Sequence, residues 1–318
     1  MILRSVQSVL SLVILMGAGY WLAGKSWFGQ RGGDILSKLS VNLCIPAYMC
    51  YNVMTTCGSR QALVELVAGL PAPVAAILLG CLGALVLLRL FRVEKGRRGV
   101  FLDSVAFCNT VLMGFPIVEA LFGEAASPVA MIYYMANTVL FWTIGVYALR
   151  VDSGSAPEFF SVENLKKIFS PPVLGFLLGA LLVLLEVELP YFLMDPLTRL
   201  GQCTTPVSMM FIGCLLRATD FRTIWGSREL WAVIGARFLG SPLLMLLICS
   251  VFPLTLQMRQ VFFVMSIMPA MTQMGIMAKE SGSDAHFASA SVAATTVISV
   301  VVLPLYTIVM EALPLLSP

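Results

Sequence analysis

The chain has 318 residues, of which 59% are hydrophobic and 12% are charged, and its mean hydropathy is +0.92. Soluble domains carry about 25% charged residues, so this composition excludes an ordinary soluble protein and indicates a chain embedded in a lipid bilayer. The net charge of +3 gives no support for nucleic-acid binding.

Apolar stretches long enough to cross a bilayer occur ten times along the chain, since a helix needs about 20 residues to span the hydrocarbon core. The first begins after Arg4 and is too long for the core of a cleaved signal peptide, so we interpret it as a membrane span. The predicted spans are 5–23, 34–55, 64–90, 99–122, 127–149, 171–187, 195–216, 229–252, 258–279 and 286–312.

Lysine and arginine residues are distributed unevenly between the two sets of loops. Sixteen follow odd-numbered spans, and this count includes Arg217, Arg222, Arg228 and Arg237 after the seventh span. The other four are Arg4, Arg60, Arg199 and Arg259. Because positive residues stay on the cytoplasmic side, this bias predicts a multi-pass protein of the plasma membrane with both termini outside the cytoplasm.

A polar connection divides the predicted spans into two sets of five. The predicted domains are a first repeat at 1–149, a cytoplasmic linker at 150–170 and a second repeat at 171–318. An odd number of spans per half means that two copies would be inserted upside down relative to each other. The fifth and tenth spans support this with the similar sequences ANTV and ATTV. The predicted fold is all-α, with two inverted five-helix repeats.

Proline lies inside the second and fourth spans of each half. These prolines are Pro46 and Pro116 in the first half and Pro206 and Pro269 in the second. A proline within a helix removes a hydrogen bond, and unwound backbone at membrane depth is tolerated only where protein buries it or water reaches it. Broken helices at matching places in inverted repeats indicate a transporter site, and their positive N-terminal ends favour an anion. Kinks and close helix packing are the structural alternative.

Polar and small residues surround the predicted breaks, with Asn109, Thr110 and Gly114 close to Pro116. Amide and hydroxyl groups suit hydrogen bonding to a carboxylate, although they could equally tie two helices together. The substrate-binding candidates are Asn109, Thr110, Gly114, Pro116, Pro269, Thr272, Gln273, Asn42, Thr204 and Thr205.

Acidic residues at or near the spans are candidates for ion or proton coupling, because ionisable groups are costly at membrane depth. The candidates are Asp103, Glu119, Glu280 and Asp284. The acidic residues near span ends are compatible both with a water-facing gate and with a solvated loop. Among the four candidates, Asp103 is the first that we would mutate.

Cysteine and histidine patterns give no indication of a metal site or a catalytic nucleophile. None of the eight cysteines belongs to a C-x-x-C pair, and His286 is the only histidine. The sequence also lacks a Walker A motif and the H-E-x-x-H and G-x-S-x-G motifs. We therefore predict no cofactor, no metal and no enzymatic activity.

Four segments together resemble the auxin efflux carrier family, which includes plant PIN auxin transporters and bacterial carriers for malonate and malate. The most specific is NTVLMGFPIVEALFG at 109–123, and the others are MPAMTQMGIMAKESGSD at 268–284, CIPAYM at 44–49 and PVSMMFIGCLL at 206–216. The resemblance implies ten helices in inverted repeats, broken fourth and ninth helices, an elevator movement and a homodimer. It also implies that Asn109 contacts a substrate carboxylate and that Pro116 and Pro269 are the crossover prolines.

Two features depart from the plant members of that family. The long cytoplasmic domain of many plant carriers is replaced by the linker at 150–170, and Cys108 stands where plant relatives usually have proline. A compact bacterial carrier fits better than an auxin transporter.

The resulting hypothesis is a secondary transporter that moves small organic anions, mono- or dicarboxylates, by alternating access. Coupling to protons, to sodium or to the membrane potential alone is compatible with these residues. The alternative is a membrane-embedded sensor that binds a carboxylate without transporting it. The predicted partners of the protein are the organic anion, the lipid bilayer and a second copy of the chain.

Overall fold

The computed structural model describes residues 2–57, 59–154, 166–218 and 227–317. Most residues of the predicted spans are helical, apart from short interruptions such as 107–109 and 267–272, and the described part of the chain contains no strand. Its only isolated extended pairing joins Cys108 to Ala270. Contacts between Cα atoms divide the chain into two compact units, and each unit takes segments from both halves of the sequence.

The first unit comprises Met1–Leu70, Val111–Met135 and Phe169–Ala218. Its helices are α1 (Ile2–Leu22), α2 (Gly29–Leu39), α3 (Ile45–Thr56), α4 (Arg60–Ala68), α7 (Phe115–Phe122), most of α8 (Ser127–Leu140), α10 (Pro171–Leu184), α11 (Tyr191–Gln202) and α12 (Thr204–Ala218). Helix α1 packs on α12, and α3 packs on α10 and α11. Gly213 allows the first of these contacts, because a Cβ atom there would collide with the backbone of Met16.

The second unit comprises Pro71–Thr110, Ala136–Ile168 and Thr219–Pro318. Its helices are α5 (Pro71–Leu90), α6 (Arg98–Ala106), the end of α8, α9 (Val146–Ser153), α13 (Arg228–Gly235), α14 (Ser241–Val251), α15 (Leu256–Ser266), α16 (Gln273–Ser281) and α17 (Ala285–Ala312). Helix α6 packs on α5 and α9, and α16 packs on α17 and α9.

Within the described residues, four helical stretches are each long and apolar enough to cross a membrane. They are Arg60–Leu90, Glu124–Ser153, Arg228–Val251 and Ala285–Met310. Several leucines and valines on α5, α10 and α14 are exposed, among them Val86 at 64% and Leu243 at 65%. An exposed apolar surface of this kind fits a lipid environment and not water.

Several short π-helical turns join neighbouring α-helices into longer stretches. One of them, Ser40–Cys44, connects α2 to α3, so the helix around Pro46 is continuous. The prediction of a break at Pro46 was therefore wrong. Proline is tolerated here because it lies in the first turn of α3, where the missing N–H costs little.

The interruptions of the other proline-containing spans lie close to the prolines but rarely at them. The fourth span is broken between α6 and Thr110, six residues or more before Pro116, which lies in the first turn of α7. The turn in the seventh span is at Cys203, three residues before Pro206. Only Pro269 lies within its break, between α15 and α16. The prediction that Pro116 itself opens the fourth helix was wrong, because proline again occupies a helix start.

The predicted linker at 150–170 is covered only in part, since 155–165 lie outside the described residues. Its first residues complete α9, which ends at Ser153, and Gly154 follows with the left-handed backbone typical of a helix C-terminus. The division into repeats at 1–149 and 171–318 stays a prediction.

Candidate functional site

Two interrupted helices cross in the second unit, and their unwound segments pair with each other. The Asn109 N–H donates to the Pro269 carbonyl at 2.8 Å, and the Met271 N–H donates to the Phe107 carbonyl at 3.3 Å. Between these two bonds, Cys108 and Ala270 face each other in an antiparallel bridge. Each break therefore satisfies backbone groups that the other break has freed, which lowers the cost of unwinding at membrane depth.

Two buried side chains each form hydrogen bonds with one of the two paired segments. The Asn137 amide accepts from the Cys108 N–H and donates to the Cys108 carbonyl, both at 3.1 Å. The Thr295 hydroxyl oxygen accepts from the Ala270 N–H at 3.0 Å. Asn137 occupies the second position of ANTV, and Thr295 occupies the second position of ATTV. Similar sequences in the two halves therefore supply a hydrogen-bond acceptor to the backbone N–H of Cys108 and of Ala270.

A buried arginine supplies further donors to the same region. Arg237 is 1% exposed; its Nε donates to the Met268 carbonyl at 2.8 Å and its Nη1 donates to the Val105 carbonyl at 2.6 Å. It lies on the π-helical turn Ala236–Gly240 between α13 and α14. The prediction that counted Arg237 among the loop cations was wrong, and without it the charge bias is 15 to 4.

Asp103 is completely buried on α6, and both of its carboxyl oxygens lack a hydrogen-bond partner among the described residues. Gly145 faces it closely, because a Cβ atom at that position would lie 2.9 Å from Asp103 Oδ1. An ionised carboxylate without donors is expensive to bury. Asp103 therefore stays a candidate for taking up a proton or binding a ligand.

The other predicted residues of the second unit lie in different surroundings. Asn109 and Thr110 are buried at the first break, at 3% and 1% exposure, whereas Thr272 is half-buried and Gln273 is exposed at the start of α16. The hydroxyl of Thr110 has no hydrogen-bond partner among the residues described. The same holds for the buried hydroxyl of Thr138, next to Asn137.

The two remaining coupling candidates of this unit lie outside the crossing. Asp284 accepts from Arg97 Nε at 2.6 Å and from the Phe287 N–H at 2.9 Å, so it caps α17 and fixes the loop before α6. Glu280 is exposed, with an oxygen 4.0 Å from the Lys167 ammonium. The contacts of Asp284 with Arg97 and of Glu280 with Lys167 are therefore interpreted as structural contacts between neighbouring segments.

The first unit brings two of the predicted residues together. The Thr205 hydroxyl donates to Glu119 Oε2 at 2.6 Å, next to the buried Thr204. Gly114 and Pro116 are buried around the start of α7. Asn42 is exposed and donates to the Lys38 carbonyl of its own helix at 2.9 Å, which is a local contact.

Comparison with known proteins agrees with a helical membrane carrier. Residues 4–307 match the family described as membrane transport protein, Mem_trans. The chain belongs to this family. It is the auxin efflux carrier family that the motifs at 109–123 and 268–284 indicate, so this Mem_trans chain is a multi-pass membrane transporter and not an enzyme.

Two curated archaeal relatives of this Mem_trans transporter extend over almost the same length. An uncharacterized transporter of Methanothermobacter thermautotrophicus is 24% identical, over 96% of this chain and 98% of its own. An uncharacterized transporter of Methanocaldococcus jannaschii is 22% identical, over 94% of this chain and 96% of its own.

Sequence reasoning missed the three side chains that hold the crossing of this Mem_trans chain. Asn137 and Thr295 lie in the similar segments ANTV and ATTV, which was a usable signal. Arg237 was visible as the one charged residue within the apolar part of the span 229–252. An ionisable residue in such a place indicates a functional role by default.

Proposed function

We propose that the chain is a secondary transporter of small organic anions, mono- or dicarboxylates, which works by elevator-type alternating access in the plasma membrane. The observation that carries this proposal is the paired crossing at Phe107–Asn109 and Pro269–Met271. Transporters bind their substrates where discontinuous helices meet near the bilayer midplane. The unit that contains the crossing would move across the membrane with the bound anion.

The equivalent positions of Asn137 and Thr295 support an arrangement of ten helices in two inverted repeats. Each residue lies in the fifth predicted span of its half, and each accepts a hydrogen bond from a backbone N–H in the broken fourth span of that half. Copies inserted upside down place their fourth spans antiparallel, and the bridge between Cys108 and Ala270 is antiparallel. With ten spans, both termini lie on the same side, outside the cytoplasm by the charge bias.

The preference for an anion rests on the groups that follow each break. Helical turns begin at Thr110 and at Gln273, and the N-terminal end of a helix carries a partial positive charge. The buried amide of Asn109 and the hydroxyl of Thr110 lie at one of these starts. A carboxylate accepts hydrogen bonds from both kinds of group, and this pairing is favourable where water is excluded.

Asp103 is the acid best placed for coupling, because it is buried on α6 and no described residue donates a hydrogen bond to its carboxyl oxygens. Protonation on one side of the membrane and release on the other would link flux to a proton gradient. Sodium coupling and movement driven by the potential alone are the competing schemes. Like the family that the motifs resemble, the transporter would act as a homodimer.

A flux screen tests the proposal. The purified chain is reconstituted in proteoliposomes, and uptake of radiolabelled malonate, malate and shorter monocarboxylates is measured with proton, sodium and potential gradients imposed one at a time. We expect saturable uptake of at least one carboxylate and no uptake of a matched organic cation. Preferential uptake of cations would contradict the proposal.

The same preparation distinguishes a transporter from a sensor. Equilibrium binding of the radiolabelled acids is measured beside their flux. Saturable binding without flux, in vesicles shown to be sealed, would favour the sensor and overturn the transport proposal.

A further inference from the structure

Arg237 is a buried positive charge that the proposed transport cycle does not use. It is 1% exposed, and the π-helical turn on which it lies is flanked by the two α-helical parts of one apolar stretch, Arg228–Val251. Burying a charged side chain at membrane depth costs free energy, so interactions of Arg237 must offset that cost. The hydrogen-bond partners of Arg237 indicate which interactions these are.

Both carbonyl groups that accept from Arg237 are freed by the breaks. In a continuous helix the Val105 carbonyl would accept from the Asn109 N–H, but that N–H donates to Pro269 instead. The Met268 carbonyl lies just beyond the end of α15. Arg237 reaches both oxygens, at 2.6 and 2.8 Å, and so joins the C-terminal ends of α6 and α15.

The charge at this position is as informative as the hydrogen bonds. The C-terminal end of a helix carries a partial negative charge, and two such ends lie within reach of one guanidinium group. In other transporters with broken helices, freed carbonyl groups and C-terminal helix ends coordinate a coupling sodium ion. Here a group that is always protonated takes the corresponding place.

We propose that Arg237 is a resident cation of the crossing, and that it replaces the sodium ion that such an arrangement would otherwise bind. Folding of the crossing and the transport cycle then require no sodium. Arg237 is a positioning residue in this account, since it acts by holding α6 and α15 and not by touching the substrate. The part that concerns flux rests on the proposed function, whereas the part that concerns sodium binding does not.

The test measures thermal unfolding of the purified full-length chain in sodium, potassium and N-methyl-D-glucamine chloride at equal ionic strength. Wild type is compared with Arg237→Met, which removes the charge, and Arg237→Lys, which keeps it. Arg228→Met is the matched control, because Arg228 is exposed in the first turn of α13. Malonate uptake is measured in the same three salts.

We expect the wild-type midpoint and uptake to agree in all three salts to within about 2 °C and about twofold. Arg237→Met should unfold at a lower temperature and regain stability as sodium is added, in a saturable manner. Arg237→Lys should unfold at a somewhat lower temperature than wild type and should show no sodium response. Arg228→Met should match wild type.

A saturable, sodium-specific rise in the wild-type midpoint would overturn the proposal, as would wild-type uptake that depends on sodium. A folded Arg237→Met that unfolds at the same temperature in all three salts would also contradict it. If Arg237→Met does not fold, Arg237→Lys decides, because a sodium response in that variant is incompatible with a resident cation. Absence of carboxylate uptake in every salt would count against the proposed function alone, since the unfolding measurements do not depend on a substrate.

Discussion

At the scale of single residues, the crossing depends on side chains that bond to backbone groups. Asn137 satisfies both the N–H and the carbonyl of Cys108, and Thr295 satisfies the N–H of Ala270. Such bonds are worth about 0.6–1.7 kcal/mol each in membrane proteins. They also select one position of the two broken segments relative to each other, which matters for a site that must bind one class of ligand.

Thr295→Val tests this role, because valine has nearly the shape of threonine but no hydroxyl. The change leaves the Ala270 N–H without its acceptor, and we expect the free energy of unfolding to fall by about 1–2 kcal/mol. Thr296→Val is the matched control: Thr296 is equally buried, and its hydroxyl donates to the Val292 carbonyl, a local bond within its own helix. Denaturation of both variants in detergent gives the comparison, and equal losses would argue against a special role of Thr295.

At the scale of elements, the sequence located the interrupted helices better than it located the interruptions. Proline has no backbone N–H, and it costs the least free energy in the first turn of a helix, where that N–H would have no partner within the helix. Pro116 and Pro206 therefore lie after the irregular residues, at the start of the helix that follows. What opens the fourth helix is the pairing of Cys108 and Asn109 with a distant segment, which is a tertiary interaction.

Pro116→Ala follows from this position. Alanine suits the first turn of α7, and the break between α6 and Thr110 is held by other bonds. We expect a change in the free energy of unfolding of less than about 1 kcal/mol and nearly unchanged malonate uptake. Loss of uptake in a stable, folded Pro116→Ala would show that the proline itself maintains the open helix.

A second element-scale contact joins the loop before α6 to the start of α17. Partial burial by itself raises the pKa of the Asp284 carboxyl, but hydrogen bonds from the Phe287 N–H and from Arg97 outweigh burial and lower the pKa overall. A lowered pKa in the folded state means that this contact stabilises the fold above the ordinary carboxyl pKa of about 4. The stabilisation is lost as the pH falls through the folded pKa.

Asp284→Asn should therefore lower the unfolding temperature at pH 7, and the difference from wild type should shrink as the pH falls below about 4. Asparagine keeps the helix cap, so the variant isolates the charge pair with Arg97. Asp195→Asn is the control, because Asp195 pairs with Arg199 on an exposed face where ion pairs contribute little. A difference between Asp284→Asn and wild type that persists unchanged at low pH would exclude the charge pair as its cause.

At the scale of the whole molecule, composition and span length predicted a helical membrane protein. The paired prolines and the family resemblance predicted a transporter, and the family match confirms that class. The crossing was predicted in part, whereas its role as a substrate site stays a prediction. Asn109 and Pro269 lie at the crossing as expected, whereas Asn137, Thr295 and Arg237 contact backbone groups 25 to 132 residues away in the chain. A local pattern can mark such residues, as the similar segments ANTV and ATTV do, but it does not identify the distant backbone groups that they contact.

The orientation of the chain is a further whole-molecule prediction. Single cysteines are introduced at the exposed Glu94, after the third predicted span, and at the exposed Glu188, after the sixth, with Cys203 changed to serine. The charge bias predicts that an impermeant maleimide reaches residue 188 from outside intact cells and reaches residue 94 only after lysis. The reverse pattern would place both termini in the cytoplasm.

The most direct test of the central claim is malonate flux through Asn109→Ala in proteoliposomes, with Gln61→Ala as a control that removes an exposed amide. If Asn109 binds the substrate carboxylate at the crossing, its loss should reduce saturable flux by about 10- to 100-fold, as expected for a lost hydrogen bond to a charged group. The folded fraction should stay unchanged, and Gln61→Ala should transport as wild type does. Unchanged flux through a folded Asn109→Ala would contradict the assignment of the substrate site to the crossing.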